Sequence, residues 1–328
     1  MDLDLLKRTL DELGEPTFRA RQIWRWTANG ADSFDAMTDL PRQLRGELGE
    51  RVPFSTLTLE REASARDGTV KALLRTADGR PVEAVLMRYR DGRRSLCLSS
   101  QSGCPLTCTF CATGQMRFGR NLSAAEILDQ ALHFRRLDAV DHAVFMGMGE
   151  PLMNLGAVLG ACDRLTDIGI TARRTAISTV GWIPGIERLI DDPRPLRLAL
   201  SLHAADAALR SELMPVNDRY PLPDVLAACE RYYARKRRMV FVEYVMLAGV
   251  NDAHVQAVQL AEALDPKVFK VNLIPYNPTD SGFQGSSPKA IDAFRAELER
   301  RGLRATVRLT RGREIDAACG QLAARAAR

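Results

Sequence analysis

The 328-residue sequence predicts an α/β fold, a partial (β/α)6 barrel that follows a small N-terminal helical domain and a short β linker. Three observations predict it. From residue 94 onward, short apolar runs rich in β-branched residues alternate with longer segments at helical spacing. That makes about six βα units, which imply a parallel sheet. Polar or glycine-rich loops recur where those strands end, which is where a barrel of parallel strands places its reactive groups. Before residue 94 the pattern changes, first to helical spacing and then to strict alternation with turn signals.

The elements follow in order. Residues 1–52 read as helical; Phe18-Arg-Ala-Arg-Gln-Ile-Trp-Arg-Trp26 sets apolar groups on one face and arginines on the other. Residues 53–92 carry Asp67-Gly68, Asp78-Gly79 and Asp91-Gly92, which predict short antiparallel strands joined by hairpin turns. The barrel is expected over 93–314, opening with a strand at Ser95–Ser99. Ser123-Ala-Ala-Glu126 is a capping box that starts a helix running through Arg136. Strands are expected at 143–146, 175–179, 196–202, 240–246, 269–274 and 305–309, with helices between them. Ser287-Pro288 marks one helix start, an N-cap followed by proline in the first turn. Residues 315–328 form a polar tail.

Composition narrows the function classes. Hydrophobic residues make up 46 %, enough for a sizeable core, yet no apolar run approaches the roughly 18 residues that span a bilayer. Met-Asp-Leu-Asp-Leu-Leu-Lys-Arg lacks the apolar centre of a signal peptide. Seven cysteines, an odd count with three in one tight loop, point to a reducing cytoplasmic setting and to thiols used for chemistry. The net charge of +5 is a mild surplus. It is concentrated in clusters at Arg93-Arg94, Arg117 and Arg120, Arg135-Arg136, Arg173-Arg174, 235–238, Arg300-Arg301 and 308–313, several of which flank the loops at the strand ends. That distribution favours a polyanionic substrate.

Cys104-Pro-Leu-Thr-Cys108-Thr-Phe-Cys111 carries the most chemistry. Three thiolates at this spacing hold three corners of an iron–sulfur cubane. An all-protein site supplies four, so one iron stays open for a small chelate such as the amino and carboxylate groups of S-adenosylmethionine. Zinc is the alternative. A structural zinc takes four closed ligands, and neither His133 nor His142 sits at finger spacing. In Gly147-Met-Gly149-Glu150-Pro151 the glycines allow close backbone approach, and Glu150 can accept from an ammonium group. Ser178, Ser201 and Asn277 can hydrogen-bond a ribose or a carboxylate; His203 either joins them or is structural. Cys319 sits in the tail and reads as a buried thiol or as a reactive one, with Arg311 and Arg313 as candidate charges beside it. Cys97 lies seven residues before the cysteine loop. Cys162 and Cys229 fall on apolar helix faces and read as core. Glu83, isolated in a strand, reads on pattern alone as solvent-facing.

Taken together, the ordered motifs resemble the radical-SAM adenine methyltransferases of ribosomal RNA, the RlmN and Cfr family. They are Cys97-Leu-Ser-Ser-Gln-Ser-Gly-Cys104 with the cysteine loop, Phe145-Met-Gly-Met-Gly-Glu-Pro-Leu152, Ile177-Ser-Thr-Val-Gly181, Leu200-Ser-Leu-His-Ala204, Leu213-Met-Pro-Val-Asn217, Val242-Glu-Tyr-Val245, Val271-Asn-Leu-Ile-Pro275 and Asp316-Ala-Ala-Cys-Gly-Gln-Leu322. The likeness runs from about Phe18 to Leu322. It implies a radical-SAM barrel with a [4Fe–4S] cluster on Cys104, Cys108 and Cys111, and two S-adenosylmethionine molecules per turnover. It also implies cofactor contacts from Gly149, Glu150, Ser178, Ser201, Leu202, His203 and Asn277. Cys319 would be methylated first. A 5′-deoxyadenosyl radical would take hydrogen from that methyl, and the resulting methylene would add to C2 of an adenine. Cys97 would then attack the Cys319 sulfur, leaving a transient disulfide, and Glu83 would accept the proton from the adenine carbon.

By the same resemblance the partners are 23S rRNA, tRNA and an electron donor such as flavodoxin, and the chain is a monomer. The N-terminal domain and the basic clusters would hold RNA, and the target base would leave its stack. Two departures are visible: the segment from Glu83 to Cys97 is one residue longer, and Arg313-Glu314 alters the charge beside Cys319. The motifs do not separate C2 from C8 methylation. A radical-SAM enzyme with another substrate has no need of Cys97 and Cys319. An electron carrier would use four cluster thiolates and no Gly-Glu-Pro loop.

Overall fold

The computed structural model describes residues 1–323, so residues 324–328 of the expected tail lie outside the described residues. Helices α1 (Leu3–Glu12), α2 (Phe18–Ala28) and α3 (Arg42–Arg51) enclose a core of their own, built on Leu6, Leu10, Ile23, Phe34, Met37, Leu44 and Leu48. Asp2 starts α1 by accepting from the amides of Asp4 and Leu5, each at 3.0 Å. Trp24 leaves this small core for the main one, and its indole N–H donates to Asp167 at 2.7 Å.

Strands β1 (Leu57–Ser64), β2 (Val70–Thr76) and β3 (Pro81–Arg88) form an antiparallel meander. All three Asp-Gly pairs are turns whose glycine has φ between +77° and +90°, a conformation that costs a side-chain-bearing residue. β4 (Arg94–Cys97) pairs antiparallel with β3, Val85 opposite Cys97. The expected β linker is therefore continuous with the barrel sheet. β5 (Gln101–Ser102) and β6 (Arg120–Asn121) pair with each other and clamp the base of the cysteine loop. At that base Gly103 has φ +73°, and a Cβ there would fall 2.5 Å from the Arg117 carbonyl.

The alternation then runs α4 (Ala124–Leu137), β7 (His142–Phe145), α5 (Leu155–Leu165), β8 (Thr175–Thr179), α6 (Ile183–Asp191), β9 (Arg197–Ser201), α7 (Ala207–Leu213), α8 (Leu222–Lys236), β10 (Val240–Met246), α9 (His254–Ala263), β11 (Phe269–Pro275), α10 (Pro288–Arg300) and β12 (Ala305–Val307). Among the described residues, the strands form one ten-stranded sheet ordered β1-β2-β3-β4-β7-β8-β9-β10-β11-β12, parallel from β4 onward. The capping box holds as read: the Ser123 hydroxyl accepts from the Glu126 amide and the Glu126 carboxylate from the Ser123 amide. Ser287 caps α10 with Pro288 at its first position. The first barrel strand stops short of the expected Ser99, because the Ser99 amide leaves the ladder for the Gln130 side chain at 2.8 Å. Apolar side chains between sheet and helices make the main core. Among the described residues, no helix is long and apolar enough to cross a membrane.

The parallel order brings the ends of β4, β7, β8, β9, β10 and β11 to one mouth. The basic clusters divide accordingly. Arg117, Arg120 and the arginines after β12 belong to the mouth, whereas Arg173, Arg174, Arg237 and Arg238 precede β8 and β10 and lie at the far end.

Arg210, wholly buried, ties the mouth loops together by donating to Asn217 Oδ1 at 2.6 Å, the Val180 carbonyl at 2.7 Å and the Leu202 carbonyl at 3.3 Å. Arg210→Met keeps most of the volume but strips charged donors from buried acceptors. We expect a loss of about 3 kcal/mol in denaturant-induced unfolding, far above the effect of replacing exposed Arg231 in the same way.

Candidate active site

The end of β7 shapes the first wall. Gly149 has φ +95°, and a Cβ there would meet the Gln101 side chain at 2.5 Å. That close approach lets Gln101 Oε1 accept the Glu150 amide at 2.8 Å. The Glu150 carboxylate is buried and accepts the amides of Leu152 and Val180, both at 3.0 Å. Burial nevertheless pushes its pKa up to about 7, with the two amides opposing.

Glu150 lines an open cleft of about 150 Å³, together with Gly147, Gly149, Ser178, Ser201, His203, Cys111 and Cys319. The Ser178 and Ser201 hydroxyls lie 3.3 Å apart on neighbouring strands. His203, at φ +60°, accepts the Val245 amide on Nδ1 at 3.0 Å, so its proton sits on Nε2. Burial, helped by Arg210, lowers its pKa to about 3 and keeps the ring neutral. The ring also packs edge-on against Phe110 of the cysteine loop at 4.7 Å, so His203 both lines the cleft and supports that loop.

Cys104, Cys108 and Cys111 share one loop. Burial pushes all three thiols up, and Cys108 is raised further by Cys111 and Cys104 beside it. Three mutually close thiols, Cys108 buried and Cys104 and Cys111 partly so, favour a cationic centre that holds them as thiolates. Among the described residues, no three His, Cys, Asp or Glu side chains converge as a single metal ion requires.

The tail closes the mouth. Ala112 donates to the Gly320 carbonyl at 2.8 Å and Thr113 to the Leu322 carbonyl at 2.5 Å. Asn277 Nδ2 donates to the Cys319 carbonyl at 3.2 Å, and Gln321 donates to the Pro278 carbonyl at 3.1 Å. Cys319 thereby lines the cleft and also a second, small cavity of about 20 Å³ lined by Cys97. Burial, reinforced by nearby Cys319 and opposed by Arg308, pushes Cys97 up to about 12.

Several expectations need correction. Leu202 does not face the cleft: its side chain is in the main core, its amide donates to Glu243 at 3.0 Å, and its carbonyl is taken by Ala204 and Arg210. Asn277 lines the second cavity and serves the tail. The cation beside Cys319 is neither Arg313, which is exposed, nor Arg311, which stacks on Tyr89 and approaches Asp67. It is Arg308, which lines both cavities, lies 3.9 Å from Glu243 and has its pKa raised chiefly by Cys319. Glu83 is not solvent-facing but wholly buried. It lines a third cavity of about 530 Å³ on the other side of the tail. Cys162 and Cys229 are core, as read.

Sequence reasoning missed Glu243 and Arg308 as a pair. Glu243 is buried inside the barrel, with its pKa raised by burial against the pull of Arg308 and Asn272. The available signal was one charged residue within the otherwise apolar strand β10 and another directly after β12.

Comparison with known proteins agrees with this architecture. The family model "Radical SAM superfamily" matches residues 98–261, and "Ribosomal RNA large subunit methyltransferase N-terminal domain" matches residues 1–53. A protein of Heliobacterium modesticaldum named "Probable dual-specificity RNA methyltransferase RlmN" is 48 % identical, with 94 % of this chain and 84 % of that one covered. One of the same name from Chloroflexus aurantiacus is 47 % identical over 99 % and 92 %. The crystal structure of a radical SAM methyltransferase from Sphaerobacter thermophilus superposes with a TM-score of 0.93 at 43 % identity, covering 99 % of this chain and 98 % of that one. Matched at 43–48 % identity over nearly its whole length, the chain belongs to the RlmN family of radical-SAM methyltransferases, which use a [4Fe–4S] cluster and S-adenosylmethionine.

Proposed function

We propose that this protein methylates C2 of an adenine in the peptidyl-transferase region of 23S rRNA and of the adenosine beside the tRNA anticodon, with Cys319 as the methyl carrier. The observation that carries the reading is the position of Cys319 at the junction of two cavities, one shared with Cys111 and Glu150, the other with Cys97. The names of the relatives support RNA as the substrate. When bound, the cluster and two S-adenosylmethionine molecules supply a methyl group, an electron and a hydrogen-abstracting radical. Cys104, Cys108 and Cys111 hold the cluster. Glu150 accepts the ammonium of the cofactor, Ser178 and Ser201 contact its ribose or carboxylate, and His203 offers Nε2–H.

The chain's own thiols do the rest. The Cys319 sulfur takes the methyl group and carries it to adenine C2, an electron-poor carbon that polar methyl transfer does not reach. Arg308 supplies the positive charge that a thiolate needs beside Cys97 and Cys319. Cys97 forms the S–S bond to Cys319 as the bond from Cys319 to carbon breaks. Glu83 takes the proton from the adenine carbon. The helical domain and the basic residues at the mouth hold the RNA backbone. The chain works as a cytoplasmic monomer with a flavodoxin-type electron donor.

Anaerobic assay of the reconstituted protein on unmodified 23S rRNA fragments and tRNA, read by mass spectrometry of nucleosides, tests this. We expect 2-methyladenosine from the parent, none from Cys319→Ala, and protein covalently bound to RNA from Cys97→Ala. An 8-methyladenosine product would reassign the regiochemistry. Cofactor cleavage without methylated adenosine would defeat the RNA reading.

Glu150 makes a second, pH-dependent prediction. Its folded pKa of about 7 lies above the ordinary carboxyl value of 4.5. A raised value stabilises the fold fully below about pH 4.5, and that contribution is lost as pH rises through 7. Glu150→Gln removes the titration. Between pH 4.5 and 8 the stability difference should therefore move toward the variant by about 3 kcal/mol, measured as denaturant midpoints of the protein without cofactor. A difference independent of pH would refute this placement of the charge.

A further inference from the structure

Lys71 has no role in the reading above, yet it is among the few buried cations of the molecule, only 9 % exposed on β2. Its ammonium lies 3.1 Å from Glu83 Oε1 and donates to the Asp316 carbonyl at 3.2 Å. The other carboxylate oxygen of Glu83, Oε2, accepts the Ala323 amide at 2.9 Å. Asp316 and Ala323 bracket Cys319 in the tail. The two ends of the segment that carries the thiol are thus fastened to one buried ion pair, Lys71 at one end and Glu83 at the other. The pairing of β2 with β3, Leu73 opposite Glu83, sets both side chains on one rigid wall.

We propose that Lys71 is a positioning residue that works through Glu83 and couples it to the tail. Resting on the reading of Glu83 as proton acceptor, the argument is geometric. With the tail seated, the Ala323 N–H occupies the lone pair that a proton on the substrate carbon would take, so Glu83 is blocked while Cys319 faces the cofactor cleft. When RNA enters, the tail moves off the wall and Oε2 is released. Lys71 stays, because β2 does not move with the tail. It keeps the counter-charge that a buried carboxylate requires and fixes Oε1, which leaves Oε2 aimed at the incoming base. A proton then passes from the adenine carbon to Oε2, and the carbon keeps the electron pair of the broken C–H bond. Methyl loading and proton removal therefore belong to two different seatings of one tail.

Two measurements on the full-length reconstituted protein test it. The first needs no RNA. Amide hydrogen exchange over 316–323 should speed up at least tenfold in Lys71→Met and return toward the parent in Lys71→Arg. Unchanged exchange in Lys71→Met overturns the latch. The second is the pH profile of RNA methylation. The charged groups lining this cavity are Lys71 from β2, Arg61 from β1, Glu83 from β3, Asp280 from the loop after β11, and Glu314 and Asp316 from the tail. Removing the ammonium nearest Glu83 should lower kcat at least tenfold at neutral pH and move the acidic limb of the profile to higher pH, with rescue by Lys71→Arg. A uniform fall with no shift of the limb overturns the positioning role, since a merely structural defect would produce that. Failure of the parent to methylate RNA would defeat the reading of Glu83 while leaving the exchange result to decide the latch.

Discussion

The mouth of this barrel depends on the seating of one short segment, residues 316–323. Its carbonyls are taken by Lys71, Asn277, Ala112 and Thr113, and its last described amide by Glu83. These partners come from β2, β3, the cysteine loop and the loop after β11, elements far apart in the chain. A backbone buried at such a junction must find a partner for each polar group, and here nearly every partner is a side chain or loop of the site itself. The segment is consequently as well placed as a strand while making no ladder, and it can leave without unravelling the sheet. That combination suits a thiol that has to serve two cavities.

Electrostatics explains why those cavities are distinct. Cys97, Cys108 and Glu150 are all buried deeply enough that desolvation disfavours their charged forms. A cation placed beside any of them favours its charged form. Arg308 is one, a permanent cation wedged between Glu243, Cys97 and Cys319. It directly follows β12, the last strand, and its backbone still bonds to the sheet, the Arg308 amide donating to the Leu273 carbonyl at 2.8 Å. Its charge is thus held in place by the sheet while the thiol it faces rides on a separable segment.

What could be read from the chain was local. The capping box at Ser123, the Ser287-Pro288 start and the three Asp-Gly turns each depend on a few neighbouring residues, and each stands where it was expected. The loop motifs at the strand ends were equally legible, because a parallel sheet leaves one place for them. The failures were long-range. Glu83 looked like an ordinary strand carboxylate, since nothing within ten residues reveals that the tail covers it. Leu202 was carried along with Ser201 and His203, although alternation along the strand turns it to the opposite face. Arg308 was hidden in a run of arginines. Only the pairing of β11 with β12 turns it inward while Arg313 stays outside.

The same contrast bears on how the fold divides labour. Groups that the proposed reaction needs rigid stand on paired backbone: Glu83 on β3, Cys97 on β4, Ser178 on β8, Ser201 on β9. The group that travels in the proposed reaction, Cys319, stands on a segment outside the sheet, held by hydrogen bonds and by Ala317 and Leu322 packed with Val85, Cys97 and Met148. A net contribution of about 1 kcal/mol for each such bond is small enough for an incoming RNA to offset through its phosphates. It is also large enough, summed over the five carbonyl and amide contacts named above, to keep the thiol seated in between. A tail built into the sheet would forfeit the transfer. A tail with no partners would leave Cys319 unplaced when the cofactor cleft is ready.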